Sequence, residues 1–179
     1  MTANTEKKAA KPRKKTIAAN GPATEVLSGP RVEPKRETLN IGVIGYGYWG
    51  PNLVRNFAEL SDARVHTVAD LNPKSLEVVK KRFPATNVTT DAQAMIRDPE
   101  IDAVAIATPV STHFSLAMAA LKAGKHVWLE KPMTETSMQA RALIEEANKR
   151  GLTLHVDHTF VYTGPVKKMR EMVQNGDLG

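Results

Sequence analysis

No cysteine occurs in the 179 residues. That absence excludes disulfides, thiolate chemistry and cysteine-ligated metal sites. No apolar run reaches the ~18 residues that a membrane span requires. The N-terminus has neither the apolar core of a secretory signal nor the amphipathic Arg/Ser pattern of a transit peptide. The expectation is a soluble, cytoplasmic protein without a membrane partner. Excess charge is also missing from most of the chain. The formal net charge is +6, but residues 1–38 hold nine Lys/Arg against four Asp/Glu, whereas residues 39–179 hold sixteen against fifteen. A near-neutral body offers no patch for nucleic acid. Large apolar side chains are scarce from Thr2 to Glu37, too scarce to offset the entropy of ordering. Residues 1–38 are therefore expected to form a disordered, solvated basic tail. Lys7, Lys8, Lys11, Arg13, Lys14 and Lys15 could touch phosphates or an acidic surface.

What is present from Asn40 onward is an alternation of short β-branched runs with segments of helical period. Strands are predicted at Ile41 to Ile44, Val65 to Ala69, Asn87 to Thr89, Ala103 to Ala107, His126 to Leu129 and Thr153 to Val156. The first helix should run from Trp49 to Leu60, with Pro51 tolerated in its first turn and Leu53, Phe57 and Leu60 on one apolar face. Asn72-Pro73 opens the second, with Leu76, Val79 and Phe83 spaced for burial before Pro84 stops it. Asp91 caps a brief third helix. Ser111 or Thr112 is expected to cap the fourth, which Gly124 closes. A capping box at Thr136-Ser137-Met138-Gln139 starts the fifth, whose apolar side is Leu143, Ile144 and Ala147. A last helix covers Pro165 to Gln174. Six strands with crossover helices predict an α/β fold, a doubly wound parallel sheet of Rossmann-like type. It should form a single domain over residues 39–179, with ligands at the carboxyl edge.

The first strand runs straight into Gly45-Tyr46-Gly47-Tyr48-Trp49-Gly50, a G-x-G-x-x-G turn, and Asp70 follows twenty residues later at the end of the second strand. These are the conditions for a dinucleotide-binding βαβ unit. Gly45 allows the tight turn, Gly47 lets a pyrophosphate approach the backbone, and Gly50 permits close helix packing. The phosphates would rest on the positive end of the first helix. Asp70 would accept hydrogen bonds from ribose hydroxyls and repel a 2'-phosphate, which favours NAD over NADP, although Lys74 lies close enough to contact such a phosphate.

Two further loops, Ala107-Thr108-Pro109 and Leu129-Glu130-Lys131-Pro132, follow consecutive strands and should converge on the same edge. A lysine beside a nicotinamide can stabilise an alkoxide or take its proton, and Lys131 is the candidate. An ordinary surface lysine explains its position equally well. Taken together, the glycine turn, Ala69-Asp70, Ala107-Thr108-Pro109 and Glu130-Lys131-Pro132 resemble the nucleotide-binding half of the Gfo/Idh/MocA oxidoreductases. Those include glucose-fructose oxidoreductase, inositol dehydrogenase and several nucleotide-sugar dehydrogenases. The resemblance implies that Lys131 contacts both the reacting hydroxyl and the cofactor, and that Thr108 and Pro109 line the cofactor. It also counts Tyr46, Tyr48, Trp49, His113 and Glu130 among the cofactor contacts. His158-Thr159-Phe160-Val161-Tyr162 is similar to members acting on nucleotide-linked sugars.

The expected function is thus hydride transfer at a secondary hydroxyl carbon of a sugar, nucleotide sugar or cyclitol. Family members continue past Asn175-Gly176-Asp177-Leu178-Gly179 into a second α/β domain that supplies most of the sugar pocket. The alternatives are accordingly a truncated, non-catalytic nucleotide-binding module or a subunit whose partner chain or oligomer supplies the missing part. A weaker one is a nucleic-acid-associated protein acting through residues 7 to 15. His155, Asp157 and His158 could be metal ligands, but on a strand the first two point away from the third and no further Cys or spaced His/Glu set completes a first shell, so no metal site is expected.

Overall fold

The structure, a computed structural model, describes residues 37–178. The tail expected over residues 1–38 falls, up to residue 36, outside the described residues. Six strands are present: β1 (Leu39–Ile44), β2 (Ala63–Ala69), β3 (Asn87–Thr89), β4 (Ala103–Ile106), β5 (His126–Glu130) and β6 (Leu154–Asp157). Between and after them lie α1 (Gly50–Ala58), α2 (Pro73–Arg82), α3 (Ala92–Arg97), α4 (Val110–Lys122), α5 (Ser137–Arg150) and α6 (Gly164–Asn175). A short 3-10 turn, Thr159–Tyr162, joins β6 to α6.

The strands form one sheet in the order β3-β2-β1-β4-β5-β6, and every pairing is parallel. The chain winds outward from β1 through β2 to β3, then crosses back to β4 and winds the other way. This reversal leaves a crevice between the carboxyl ends of β1 and β4, where the loops after those strands part. Parallel strands need both faces covered, and each face has its own core. Ile44, Val104, Ile106, Val127 and Leu129 pack with Ile96, Leu121 and Leu143 from α3, α4 and α5. On the opposite face Ile41, Val43, Val65 and Val68 pack with Leu53, Val54, Leu76 and Val79 from α1 and α2.

Local chemistry explains most element ends, and corrects some expectations. Asn72, Asp91 and Thr136 each accept from a backbone N–H in the first turn of their helix. Only half of the capping box at α5 forms, because Gln139 Oε1 is buried without a partner. Neither Ser111 nor Thr112 caps α4. The helix begins one residue after Pro109, whose fixed φ of −58° already leads into it, and the Thr112 hydroxyl donates to the Pro109 carbonyl at 2.8 Å. The first helix stops at Ala58, so Leu60 lies beyond it and is half exposed, while Phe57 meets Trp128 edge-on at 5.6 Å. Ile144 likewise stays largely exposed on the outer side of α5. Finally, β5 and β6 each run one residue past the apolar pattern, because ladder bonds do not require an apolar side chain. Glu130 and Asp157 thereby become paired strand residues. Among the described residues, no helix is long and apolar enough to cross a membrane.

Candidate functional site

The loop from Gly45 to Gly50 leaves the carboxyl end of β1, and its glycines stand in three different surroundings. Gly45 has φ +93°, and a Cβ there would lie 2.7 Å from the Ala107 carbonyl oxygen at the end of β4. A Cβ on Gly50 would lie 2.1 Å from the Gly45 carbonyl oxygen. Both positions are closed to any side chain by the protein's own backbone. Around Gly47 nothing lies within 4 Å of where a Cβ would be. Its backbone is therefore bare toward open space, as close approach by a ligand requires. No side chain caps the start of α1, where Pro51 has no N–H and the Asn52 N–H bonds the Trp49 carbonyl at 2.9 Å, so the positive end of the helix stays open to an anion such as a phosphate.

Asp70, just after β2, holds this loop. Its Oδ2 accepts from the Tyr46 N–H at 2.6 Å and its Oδ1 from the Asn72 N–H at 2.7 Å. The carboxylate is thus oriented by backbone donors on both sides, with lone pairs to spare for further donors.

The loops after β4 and β5 are tied by His113, which lies on α4 and is 1% exposed. One ring nitrogen is 2.8 Å from the Thr108 carbonyl and the other 3.0 Å from the Pro132 carbonyl. Sequence reading counts His113 among the cofactor contacts, but its buried ring is engaged by the protein. It acts as a strut between Thr108-Pro109 and Glu130-Lys131-Pro132. The Thr108 hydroxyl is in turn 2.7 Å from that of Thr112. Lys131 is exposed, and the Lys131–Pro132 peptide is cis.

The two acidic residues that end β5 and β6 meet across the ladder. Glu130 is in register with Asp157, and the pair is 8% and 9% exposed. The Thr159 hydroxyl donates to Asp157 Oδ1 at 3.1 Å. Burial first, then the Asp157 charge and hydrogen bond, push the Glu130 carboxyl up to about 7, against the pull of the Lys131 amide and ammonium. His155, two residues before Asp157 on the same strand, lies tilted against the Trp128 ring, with centroids 4.2 Å apart.

These pieces surround one cleft of about 800 Å³ at the carboxyl edge. Gly47, Tyr48 and Trp49, Ala107-Thr108-Pro109, Glu130 and Lys131, and His158 to Val161 line it. The structure thus brings together the glycine turn, Thr108, Pro109, Glu130 and Lys131 as expected from sequence. Tyr46 is buried behind the loop and Asp70 sits beside it, neither lining the cleft. Asp157 escaped notice as a partner of Glu130. Strand alternation could have found it, since an in-register parallel β5–β6 pair puts Trp128 with His155 and Glu130 with Asp157 on one face.

Two outcomes follow from this geometry. Gly50→Ala should destabilise the chain by about 2 kcal/mol or more, whereas Gly47→Ala should change stability by less than about 0.5 kcal/mol, as read by urea unfolding. Glu130 favours its proton when folded, so its contribution to stability is complete below its unfolded value of 4.5 and is lost as the pH rises to about 7. Unfolding free energy should therefore fall by roughly 1 to 3 kcal/mol across that window, and Glu130→Gln should remove that part of the slope.

Comparison with known proteins agrees with the site. The model of the Gfo/Idh/MocA oxidoreductase family, described by its NAD-binding Rossmann fold, matches residues 39–158. A myo-inositol 2-dehydrogenase of Thermotoga maritima is 31% identical over 141 residues, 79% of this chain and 42% of that protein. A scyllo-inositol 2-dehydrogenase (NADP(+)) of Bacillus subtilis is 29% identical over 86% of this chain and 41% of its own length. The crystal structure of scyllo-inositol dehydrogenase from Lactobacillus casei with bound NAD(H) and scyllo-inositol superposes with a TM-score of 0.71 at 26% identity, over 79% of this chain and 42% of that one. The chain thus spans less than half the length of these relatives. With its strand order, its glycine turn and the match over residues 39–158, the chain belongs to the Gfo/Idh/MocA oxidoreductases and carries their NAD-binding Rossmann fold.

Proposed function

We propose that the cleft at the carboxyl ends of β1, β4 and β5 holds a nicotinamide dinucleotide, NAD in preference to NADP. On this reading Lys131 serves redox chemistry at a secondary hydroxyl carbon of a sugar, nucleotide sugar or cyclitol. The observation that carries it is Gly47: a backbone with no protein atom near its missing Cβ, lining the same cleft as Lys131. The inositol dehydrogenases among the relatives support a polyol substrate.

The residues fit the cofactor from end to end. The uncapped start of α1 and the Gly47 backbone would take the pyrophosphate, using N–H dipoles rather than a cation. Asp70, fixed by the Tyr46 and Asn72 amides, would accept from the ribose hydroxyls, and its charge would oppose a 2'-phosphate. Thr108 and Pro109, held by Thr112 and His113, would shape the floor. When bound, the nicotinamide supplies the acceptor for the hydrogen leaving carbon with its electron pair. Lys131 then has one task at the hydroxyl oxygen: to take its proton or hold the charge that develops there. His158, exposed at the rim, faces the substrate side of the same cleft.

Titration of NADH into the purified chain, followed by nucleotide fluorescence, tests the cofactor half. Binding should be measurable, tighter than for NADPH, and weakened in the Gly47→Ala chain; no binding at millimolar cofactor overturns it. A panel of cyclitols, sugars and nucleotide sugars tests the catalytic half. Lys131→Ala should lower any turnover by about 100-fold or more. Turnover that survives the substitution removes Lys131 from its role.

A further inference from the structure

His113 is buried on α4, and each of its ring nitrogens meets a backbone carbonyl. Nε2 is 2.8 Å from the Thr108 oxygen and Nδ1 is 3.0 Å from the Pro132 oxygen. A carbonyl oxygen only accepts, so each contact is a hydrogen bond only when the ring nitrogen carries a proton. A neutral imidazole has one such proton and serves one carbonyl; an imidazolium serves both. Burial works against that charge and two charge-assisted hydrogen bonds work for it, which holds the ring between the two forms. The two loops do not depend on the ring equally. Thr108 has a second tie, since its hydroxyl is 2.7 Å from that of Thr112, which also donates to the Pro109 carbonyl. The Pro132 carbonyl, next to Lys131, has the longer of the two bonds and no other hydrogen-bond partner among the described residues. Charged groups around the ring are few. The stretch from Ala103 to Pro109 has none, and α4 has none before Lys122. Glu130 and Lys131 stand at the end of β5, and Glu135 is exposed in the turn before α5. On the neighbouring helices Arg97, Arg141, Glu145 and Lys149 are exposed, and Glu146 is paired with Arg150.

We propose that His113 is a positioning residue for Lys131: with a proton on both ring nitrogens it ties the Lys131-Pro132 turn to Thr108, and loss of the Nδ1 proton lets that turn go. This role rests on the reading of the cleft as a nicotinamide dinucleotide site with Lys131 at the reacting hydroxyl. The proton leaves Nδ1 because Nε2 holds the shorter bond, to a residue that Thr112 also fixes. Nδ1 then turns a lone pair toward the Pro132 oxygen, and a hydrogen bond becomes a repulsion between two acceptors. Thr108 and Pro109 keep their place, while the turn that carries Lys131 loses its tie to α4. The cleft is therefore set for its cofactor on the acid side of this transition and loosened on the alkaline side. His113 touches neither substrate nor cofactor in this role and acts through the two loops.

The test uses the full chain labelled with 15N and 13C, followed by NMR without ligand from about pH 5 to about pH 8. Both ring nitrogens of His113 should be protonated at the lower end, and Nδ1 alone should have lost its proton at the upper end. The Pro132 carbonyl 13C resonance should move with the same midpoint, and that of Thr108 should move less. A ring that holds one proton, or two, across the whole range overturns the proposal, as does a Pro132 carbonyl that ignores the ring. NADH titrations at both ends read the effect on the cleft. The Kd should rise by about threefold or more as the proton is lost, and His113→Gln, which offers donors at one atom only, should give the weaker value at both ends. A wild-type Kd that does not follow the ring, or a His113→Gln chain that keeps the full pH dependence, overturns the positioning role. If His113→Gln does not fold, the wild-type titrations still decide. Coupling of ring and carbonyl in a chain that binds no NADH counts against the cofactor reading alone, whereas NADH binding without that coupling overturns the role of His113 alone.

Discussion

The turn after β1 is packed so tightly against the end of β4 that the chain itself forbids a side chain at two of its positions. The Ala107 carbonyl closes the space beside Gly45, and the Gly45 carbonyl closes the space beside Gly50. Because both contacts are backbone against backbone, no rotamer change can relieve them. They fix the height of α1 above the sheet, and with it the direction in which its uncapped first turn points. They also leave Gly47 at the crest of the loop, bare on the outside. Asp70 completes the arrangement from β2 through its bond to the Tyr46 amide. Two steric contacts and one hydrogen bond therefore tie the turn to the ends of β4 and β2.

The far side of the cleft is organised by polar groups instead. His113 is buried on α4 and spans the carbonyls of Thr108 and Pro132, so the loops after β4 and β5 cannot move independently without leaving a buried polar group unpaired. Lys131 opens the second of those loops, directly after the buried Glu130. The cleft is thus electrostatically uneven. A fixed carboxylate, Asp70, lies beside the glycine turn, and Lys131 lines the cleft. A dinucleotide with hydroxyl groups at one end and a redox-active ring at the other suits such a polarity.

The order of elements was legible in the sequence because apolar period and turn chemistry agree along residues 40–175, and the caps at Asn72, Asp91 and Thr136 stand where their residue types predict. The glycine turn, Thr108, Pro109 and Lys131 were legible as motif and resemblance, and the structure brings them to one edge. What escaped were interactions set by tertiary pairing. Helix α4 begins after Pro109 and not at a hydroxyl cap, because proline supplies the entry angle. Glu130 and Asp157 look like loop and metal-ligand residues until β5 and β6 are laid in register, after which they are neighbours. His113 reads as a cofactor contact by resemblance, but its role is fixed by two carbonyls from distant loops, which no local pattern reveals.

The central claim is that a nicotinamide dinucleotide is held at the carboxyl edge of the sheet, over the turn from Gly45 to Gly50. The most direct measurement is the change in backbone amide resonances of the 15N-labelled chain on addition of NADH. The account predicts the largest changes at Gly45 to Gly50, Asp70, Thr108 and Lys131. Changes confined to the cavity of about 450 Å³ at the opposite edge, between Arg64 and Arg82, would contradict it, as would a saturating ligand that leaves the glycine turn unmoved.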